Sequence, residues 1–305
     1  MTDPKQADAR PATQPDQLAQ RFEAERGHLR AVAYRMLGSL AEADDVVQEA
    51  WFRFSRADTG EVANLRGWLT TVVARLCLDA LRQRKARRED PVGFRLPEPI
   101  LSGPGGLDPE QEALLAESVG LAMLVVLETL TPPERLAFVL HDVFAVPFDE
   151  IAPIVGRSPE AARQLASRAR RRVQGRAVET DTDLRGQREV VDAFVAASRN
   201  GDFDALMAIL DPDVVVRTDF GKQRPSGAVE VHGAHAVAER ALGFGRLAPA
   251  ARPAIVNGAA GAVVFTGDRP YAVLGFTIRR GKIVEIDILA DSERLARLDL
   301  TVLDA

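Results

Sequence analysis

The chain has 305 residues, 46% of them hydrophobic and 27% charged, which is typical of soluble globular proteins and allows two or three domains. The formal net charge of −5 argues against a nucleic-acid binder whose basic residues are spread evenly, although local clusters decide phosphate binding. The single cysteine, Cys77, excludes a disulfide framework and a thiol-based metal site. The chain start lacks a signal peptide's basic and apolar regions, and no apolar run approaches membrane-spanning length, so the sequence predicts a cytoplasmic protein.

The first predicted domain is all-helical and spans residues 16–88, after a polar tail at 1–15 that is predicted to be disordered. Apolar spacing predicts a helix from about Leu18 to Gly38. Ser39 and Glu42 then have the S-x-x-E spacing of a capping box, which predicts the start of a second helix. The outer face of that helix is acidic, and by default such a face is simply solvated. It consists of Asp44, Asp45, Gln48 and Glu49.

A third helix is predicted over about Leu65 to Arg84 and leads into a basic run that ends at Arg88. Its apolar face includes Trp68, a residue type that lies in a core more often than it serves as a platform for bases. Its outer face is polar and basic, which suits contact with a nucleic-acid strand. The candidate strand-contacting residues are Arg66, Arg75, Arg82 and Arg84.

Proline and glycine dominate residues 89–109, which predicts a linker that is extended in places. The second domain, residues 110–176, is again predicted to be helical. Helices are expected from about Glu110 to Thr129 and from Thr131 to near Phe144. Thr131 and Glu134 have capping-box spacing, with proline at the first helical position.

A helix-turn-helix is predicted from Phe148 to Val173, with the turn at Gly156. Ser158 is a favourable cap for the second helix, whereas Pro153 is expected to distort the first helix or delay its start. Seven arginines against three carboxylates between Phe148 and Arg176 suit major-groove binding, although a solvated basic helix is the alternative. The candidate DNA-contacting residues are Arg157, Ser158, Arg163, Gln164, Ser167, Arg168, Arg171 and Arg172.

A second linker, residues 177–186, precedes an α+β domain predicted over 187–305. Its helices come first, near 190–200 and 203–210, and are followed by strands that begin near Val214. Arg280-Gly281 is predicted to be the turn between the last two strands, and a final helix carries Leu295 and Leu298.

Three stretches, Ala43–Trp51, Leu65–Leu69 and Phe148–Arg172, occur in this order. Together they resemble the RNA polymerase sigma factors of the extracytoplasmic-function (ECF) group. The third domain is similar to the SnoaL-like cones of the ketosteroid-isomerase class, and the combination resembles the SigJ-type subgroup. The implied fold class is multidomain: two all-α sigma domains, the second with a helix-turn-helix, followed by an α+β SnoaL-like cone domain.

The resemblance implies that the acidic helix face docks on core RNA polymerase, at the clamp of its largest subunit. The third helix would meet the promoter element that melts, upstream of the transcription start, and the helix-turn-helix would read the distal element as duplex. Within that helix-turn-helix, Arg163, Gln164 and Arg168 would contact base edges. Arg171 and Arg172 would contact phosphates.

The subgroup also implies that the third domain regulates the two sigma domains in cis. Its linker motif is present as Leu96–Pro99, and a DGGG-like loop and a terminal motif survive in altered form as Asp219–Lys222 and Asp291–Leu295. The domain contacts implied are at Leu96, Pro97, Asp219 and Leu295.

Two other interpretations stay open. The third domain could bind a small ligand in its cone or act as an enzyme, for which the polar candidates are Asp219, His232, His235, Tyr271 and Asp287. The two histidines have no carboxylate partner placed by sequence, so no catalytic residue, metal site or cofactor is predicted. A ligand-sensing helix-turn-helix regulator would require a dimer and a palindromic site, and would leave the acidic helix unexplained.

Overall fold

The computed structural model describes residues 14–57, 64–86, 95–103, 120–174, 181, 183–221, 228–245 and 250–303. The predicted tail up to residue 13, the predicted helix start at Glu110 and Lys222 of the altered loop lie outside these residues. Within them, no helix is both long enough and apolar enough to cross a membrane.

The first domain consists of α1 (Gln14–Leu37), α2 (Leu40–Arg56) and α3 (Leu65–Ala86). Ser39 caps α2, because its Oγ accepts a hydrogen bond from the Glu42 amide at 3.4 Å. Gly38 adopts φ +69° between α1 and α2, and a Cβ there would lie 2.7 Å from a carboxylate oxygen of Glu128. Glycine therefore allows both the left-handed turn and the close approach of the second domain.

The second domain contains α4 (Leu121–Glu128), α5 (Pro132–Phe138), a π turn (Val139–Val143), α6 (Phe148–Val155) and α7 (Pro159–Gln174). The predicted capping box between Thr131 and Glu134 is formed.

The predicted effect of Pro153 on the start of its helix is wrong, because α6 begins at Phe148 and continues through the proline. The Pro147 carbonyl accepts the amides of Glu150 and Ile151, so the first turn closes before the chain reaches Pro153. Pro153 lies on the exposed side of α6, where the carbonyl that loses its amide partner is open to water.

The third domain begins with α8 (Leu184–Asn200) and α9 (Phe203–Ile209) and also contains α10 (Ala234–Gly243) and the short α11 (Ser292–Leu295). The predicted final helix is thus shorter than expected, and Leu298 lies beyond its end. The strands are β2 (Leu210–Asp219), β3 (Ala228–His232), β4 (Ala251–Val256), β5 (Ala259–Thr266), β6 (Arg269–Arg279) and β7 (Lys282–Leu289).

With β1 (Leu101–Ser102) included, the sheet order is β1-β4-β5-β6-β7-β2-β3, with β2 and β7 parallel and the other neighbours antiparallel. Its edge strand β1 comes from the predicted linker and pairs with β4. The linker is therefore not a free tether over residues 95–103, since part of it belongs to the third domain's sheet.

Three apolar clusters hold the molecule together. The largest is continuous through both helical domains, and another fills the cone between its helices and one face of the sheet. The last lies on the opposite face of the sheet and combines Leu101 of β1, Leu121 of α4 and Leu295 of α11. This cluster joins the linker, the second domain and the cone.

Candidate nucleic-acid interface and domain contacts

The acidic face of α2 is exposed at all four predicted positions: Asp44, Asp45, Gln48 and Glu49. Two of these side chains are already paired, Asp44 with Arg30 at 2.7 Å and Glu49 with Arg53 at 2.9 Å. Phe52 lies one turn after Gln48 and is 44% exposed, so the face combines carboxylates with an aromatic ring. Sequence reasoning missed Phe52, although its i+4 spacing from Gln48 was available as a signal.

The four arginines of α3 differ in their surroundings. Arg75 and Arg82 are exposed, and Arg66 is exposed but bonds to His28. Arg84 is mostly buried, where it pairs with the Glu42 carboxylate and lies 3.5 Å from the Leu37 carbonyl oxygen. Arg84 thus ties α3 to the start of α2. Trp68 is half-buried against the core beside Phe54, which favours the core interpretation of this residue.

A polar seam separates α3 from the helix-turn-helix domain. Arg66 donates to Nδ1 of His28 at 2.8 Å, which leaves Nε2–H to donate to Thr70 Oγ1 at 3.2 Å. The ring of Phe144, from the second domain, packs edge-on against His28 at 5.1 Å between centroids. Burial, with the charges of Arg66 and Arg35, lowers the pKa of His28 to about 4. His28 is therefore neutral at physiological pH.

A cavity of about 340 Å³ adjoins this seam and is lined from both helical domains. Arg66, Thr70 and Thr71 line it on the α3 side, and Pro147 and Glu150 line it at the start of α6. The amino-terminal part of α3 thus faces the second domain across this cavity.

The helix-turn-helix presents all eight of its predicted DNA-contacting residues at the surface. Gly156 adopts φ +66° at the turn, and Ser158 Oγ caps α7 by accepting the Ala161 amide at 3.3 Å. Arg163 lies over the ring of Phe148, and Arg172 reaches back to Glu134 at 3.0 Å. The exposed side of α7 carries Arg163, Gln164, Ser167, Arg168, Arg171 and Arg172.

The linker meets the cone through a buried polar triangle formed by the Leu96 backbone and the side chains of Asp219 and Arg294. The Leu96 amide donates to the Asp219 carboxylate at 2.9 Å, and Arg294 donates to the same carboxylate at 2.9 Å. Arg294 also donates to the Leu96 carbonyl at 2.6 Å. Burial lowers the pKa of Arg294, although its contact with Asp219 opposes that shift. Sequence reasoning selected Leu96 and Asp219 but not Arg294.

A second buried network connects the first domain, the linker and the cone. Tyr34 of α1 donates to the Glu98 carbonyl at 2.6 Å and accepts from the Asn257 side-chain amide at 3.0 Å. Asn257 also accepts from the Ile100 amide at 3.1 Å. The Glu98 carboxylate accepts the Leu40 amide at 3.0 Å, so the linker helps cap α2. Pro97 lies beside Gly38, within the same contact.

The remaining polar candidates of the third domain do not converge. His232 and His235 are exposed and lie near Glu230 and Glu239 respectively. Asp287 is buried beside Arg217, and burial raises its pKa to about 7. Across the described residues, no group of three or more histidine, cysteine or acidic side chains could hold a metal ion.

Comparisons with known proteins agree with this arrangement. The sigma-70 region 2 family matches residues 21–87, and the sigma-70 region 4 family matches residues 121–173. The chain is 42% identical over 287 residues to the ECF RNA polymerase sigma factor SigJ of Mycobacterium tuberculosis, covering 90% of this chain and 91% of that protein. It is 35% identical over 286 residues to the probable ECF sigma factor SigI of the same species, covering 93% and 96%.

The crystal structure of M. tuberculosis SigJ superimposes with a TM-score of 0.74 at 38% identity, covering 92% of this chain and 99% of that one. The predicted fold class is confirmed: two helical sigma domains precede a sheet-containing domain. The enzyme interpretation is not supported, because sigma factors are initiation factors. The chain belongs to the ECF RNA polymerase sigma factors, as a homologue of SigJ.

Proposed function

We propose that this sigma factor docks on the clamp of the largest subunit of core RNA polymerase through the acidic face of α2. In this arrangement α3 holds the melting promoter element, α7 reads the distal element, and the cone regulates both in cis. The observation that carries the proposal is the exposure of six polar residues together on one side of α7, opposite a buried alanine stripe. Such a face fits a major groove, where arginine and glutamine reach base edges.

Docking through α2 is tested by reversing one charge. Asp45→Lys should slow association with core polymerase at low salt by about tenfold or more, because complementary charge steers encounter. Asp192→Lys makes the same change on an exposed position of the cone and is the control. Association rates would be measured on immobilised core polymerase. Equal rates for both variants at low salt would contradict docking through this face.

Base reading by α7 is tested by replacing two of its arginines one at a time. Arg168→Ala should change the preferred base at one position and cost about 1–3 kcal/mol there, if the side chain binds a base edge in bidentate fashion. Arg171→Ala should weaken binding to all sequences and reduce the salt slope by about one. Both would be measured with polymerase holoenzyme on a library of distal elements. An unchanged sequence preference in both variants would show that these residues do not read bases.

Regulation in cis is supported by the buried contacts of the linker with Asp219, Asn257 and Arg294. Such contacts hold the cone, the linker and the first domain at one spacing, whereas a free linker would sample many. Asp219→Ala should therefore change run-off transcription several-fold relative to the unchanged full-length chain. Equal transcription with polymerase both limiting and in excess would contradict regulation by this contact.

A further inference from the structure

The cone contains an apolar cavity on the side of the sheet that faces away from the linker. Its volume is about 120 Å³, and its walls come from α8, α10 and five strands of the sheet. For scale, a dry apolar cavity of about 150 Å³ in another protein takes up benzene. Its large apolar wall residues include Phe194, Val216, Phe220, Val237, Leu274 and Ile286.

One polar group in this wall is unsatisfied. Ser198 of α8 is only 7% exposed, and its hydroxyl has no hydrogen-bond partner within the described chain. A buried hydroxyl without a partner costs free energy, and a native structure retains one only where something offsets that cost. A molecule that occupies the cavity and forms a hydrogen bond with this hydroxyl would offset the cost.

The mouth of the cavity carries two exposed aromatic rings, Tyr271 and Phe244. Arg240 lies over the Phe244 ring at 5.6 Å and is the one charged side chain among the described lining residues. Successive residues of a strand face opposite sides of the sheet. Because Ile286 and Ile288 line the cavity, Asp287 between them faces the other side. The described wall thus offers no carboxylate for acid–base chemistry, and the enclosed part of a ligand is uncharged.

We infer that the cone binds a small apolar molecule of about one aromatic ring, with one uncharged hydroxyl or carbonyl group paired to Ser198. The size follows from the cavity, the apolar character from its walls and the single polar group from the unpaired hydroxyl. Phe220 lines the cavity and directly follows Asp219, which binds the linker, so consecutive residues connect the cavity wall to the domain contact. This site is additional to the polymerase and promoter contacts.

The probes are 4-fluorophenol and fluorobenzene, titrated separately against the full-length chain and followed by ¹⁹F NMR. Ser198→Ala should weaken 4-fluorophenol binding by about 3- to 10-fold, the effect of one hydrogen bond, and leave fluorobenzene binding unchanged. Ala241→Leu narrows the cavity and should abolish saturable binding of both probes. Ala236→Leu adds the same side chain to the exposed side of the same helix and should change neither.

Absence of saturable binding to the unchanged protein would overturn the inference, as would unaltered binding to Ala241→Leu. An equal effect of Ser198→Ala on both probes would overturn the assignment of Ser198. Circular dichroism of each variant checks folding, and the Ser198→Ala comparison stands by itself if Ala241→Leu does not fold. No polymerase is present in the assay, so failure here is distinct from failure of the sigma-factor proposal.

Discussion

Two joins of this molecule are built from different chemistry. The two sigma domains share one continuous apolar cluster, in which α1, α3 and α5 pack together. The cone meets the linker through an apolar cluster on one face of the sheet and through buried polar contacts of Asp219, Arg294 and Asn257. The first join depends mainly on buried area, and the second depends on hydrogen-bond geometry as well.

This difference predicts how each join responds to change. Apolar contacts are non-directional, so the join between the sigma domains tolerates small shifts and weakens gradually. A buried polar network loses more when one member is removed, because its partners stay desolvated and unpaired. The cone contact is therefore the join that a single substitution can open.

The largest expected effect comes from Asp219→Ala, because Arg294 would remain buried without its carboxylate. Breaking a buried pair in this way typically costs about 3–5 kcal/mol. The free energy of unfolding of the cone should fall by that order, and the linker near Leu96 should become open to protease. Urea unfolding and limited proteolysis measure these two results.

Asp192→Ala, at an exposed position of α8, is the matched control and should change neither measurement. A double variant, Asp219→Ala with Arg294→Met, should recover part of the loss, because it removes the unpaired charge as well. A loss for Asp219→Ala within a few tenths of a kcal/mol of the control would show that the polar triangle does not hold this join.

A smaller effect is expected from Tyr34→Phe, which removes one hydroxyl from the second network. The Glu98 carbonyl and the Asn257 amide would both lose a partner in a buried site, at a cost of about 1–3 kcal/mol. Tyr271→Phe, at the exposed mouth of the cone, is the control. Urea unfolding would decide, and equal midpoints for the two variants would contradict a role for the Tyr34 network.

Local signals in the sequence predicted much of the fold. Apolar spacing predicted the helices, and the caps at Ser39, Thr131 and Ser158 marked their starts. The Arg280-Gly281 turn was also predicted, and both residues adopt positive φ, 52° and 71°, as a tight hairpin requires. Each of these features depends on a few neighbouring residues.

Features that depend on distant partners were not predicted. β1 has two residues and exists because β4 offers an edge more than 150 positions later. Asn257 occupies a turn, so its sequence context does not indicate a bond to Tyr34. Arg84 was predicted to be exposed and to contact nucleic acid, yet the packing of α3 against α2 places its side chain against Glu42. In each case the partner is set by tertiary packing, which one sequence does not display.

The smallest expected effect concerns the apolar join, at its polar edge near His28. The ring is neutral because burial, Arg66 and Arg35 lower its pKa to about 4, whereas an unfolded histidine titrates near 6.5. Between these values the unfolded chain binds a proton that the folded chain does not. Stability contributed by neutral His28 is therefore complete above about pH 6.5 and is lost as the pH falls towards 4.

His28→Gln isolates this contribution, because glutamine stays neutral and can still bond Thr70. The advantage of the unchanged protein over His28→Gln in free energy of unfolding should shrink as the pH falls from 6.5 to 4. Asp287 titrates in the same window with opposite sign, since its raised pKa of about 7 favours the folded state at lower pH. That contribution is common to both proteins and cancels in the difference. This change should be smaller than the effects of Asp219→Ala and Tyr34→Phe, because the His28 ring is partly exposed. Urea titrations at several pH values would measure it. A difference that does not depend on pH would show that the apolar contacts alone stabilise the interface between the sigma domains.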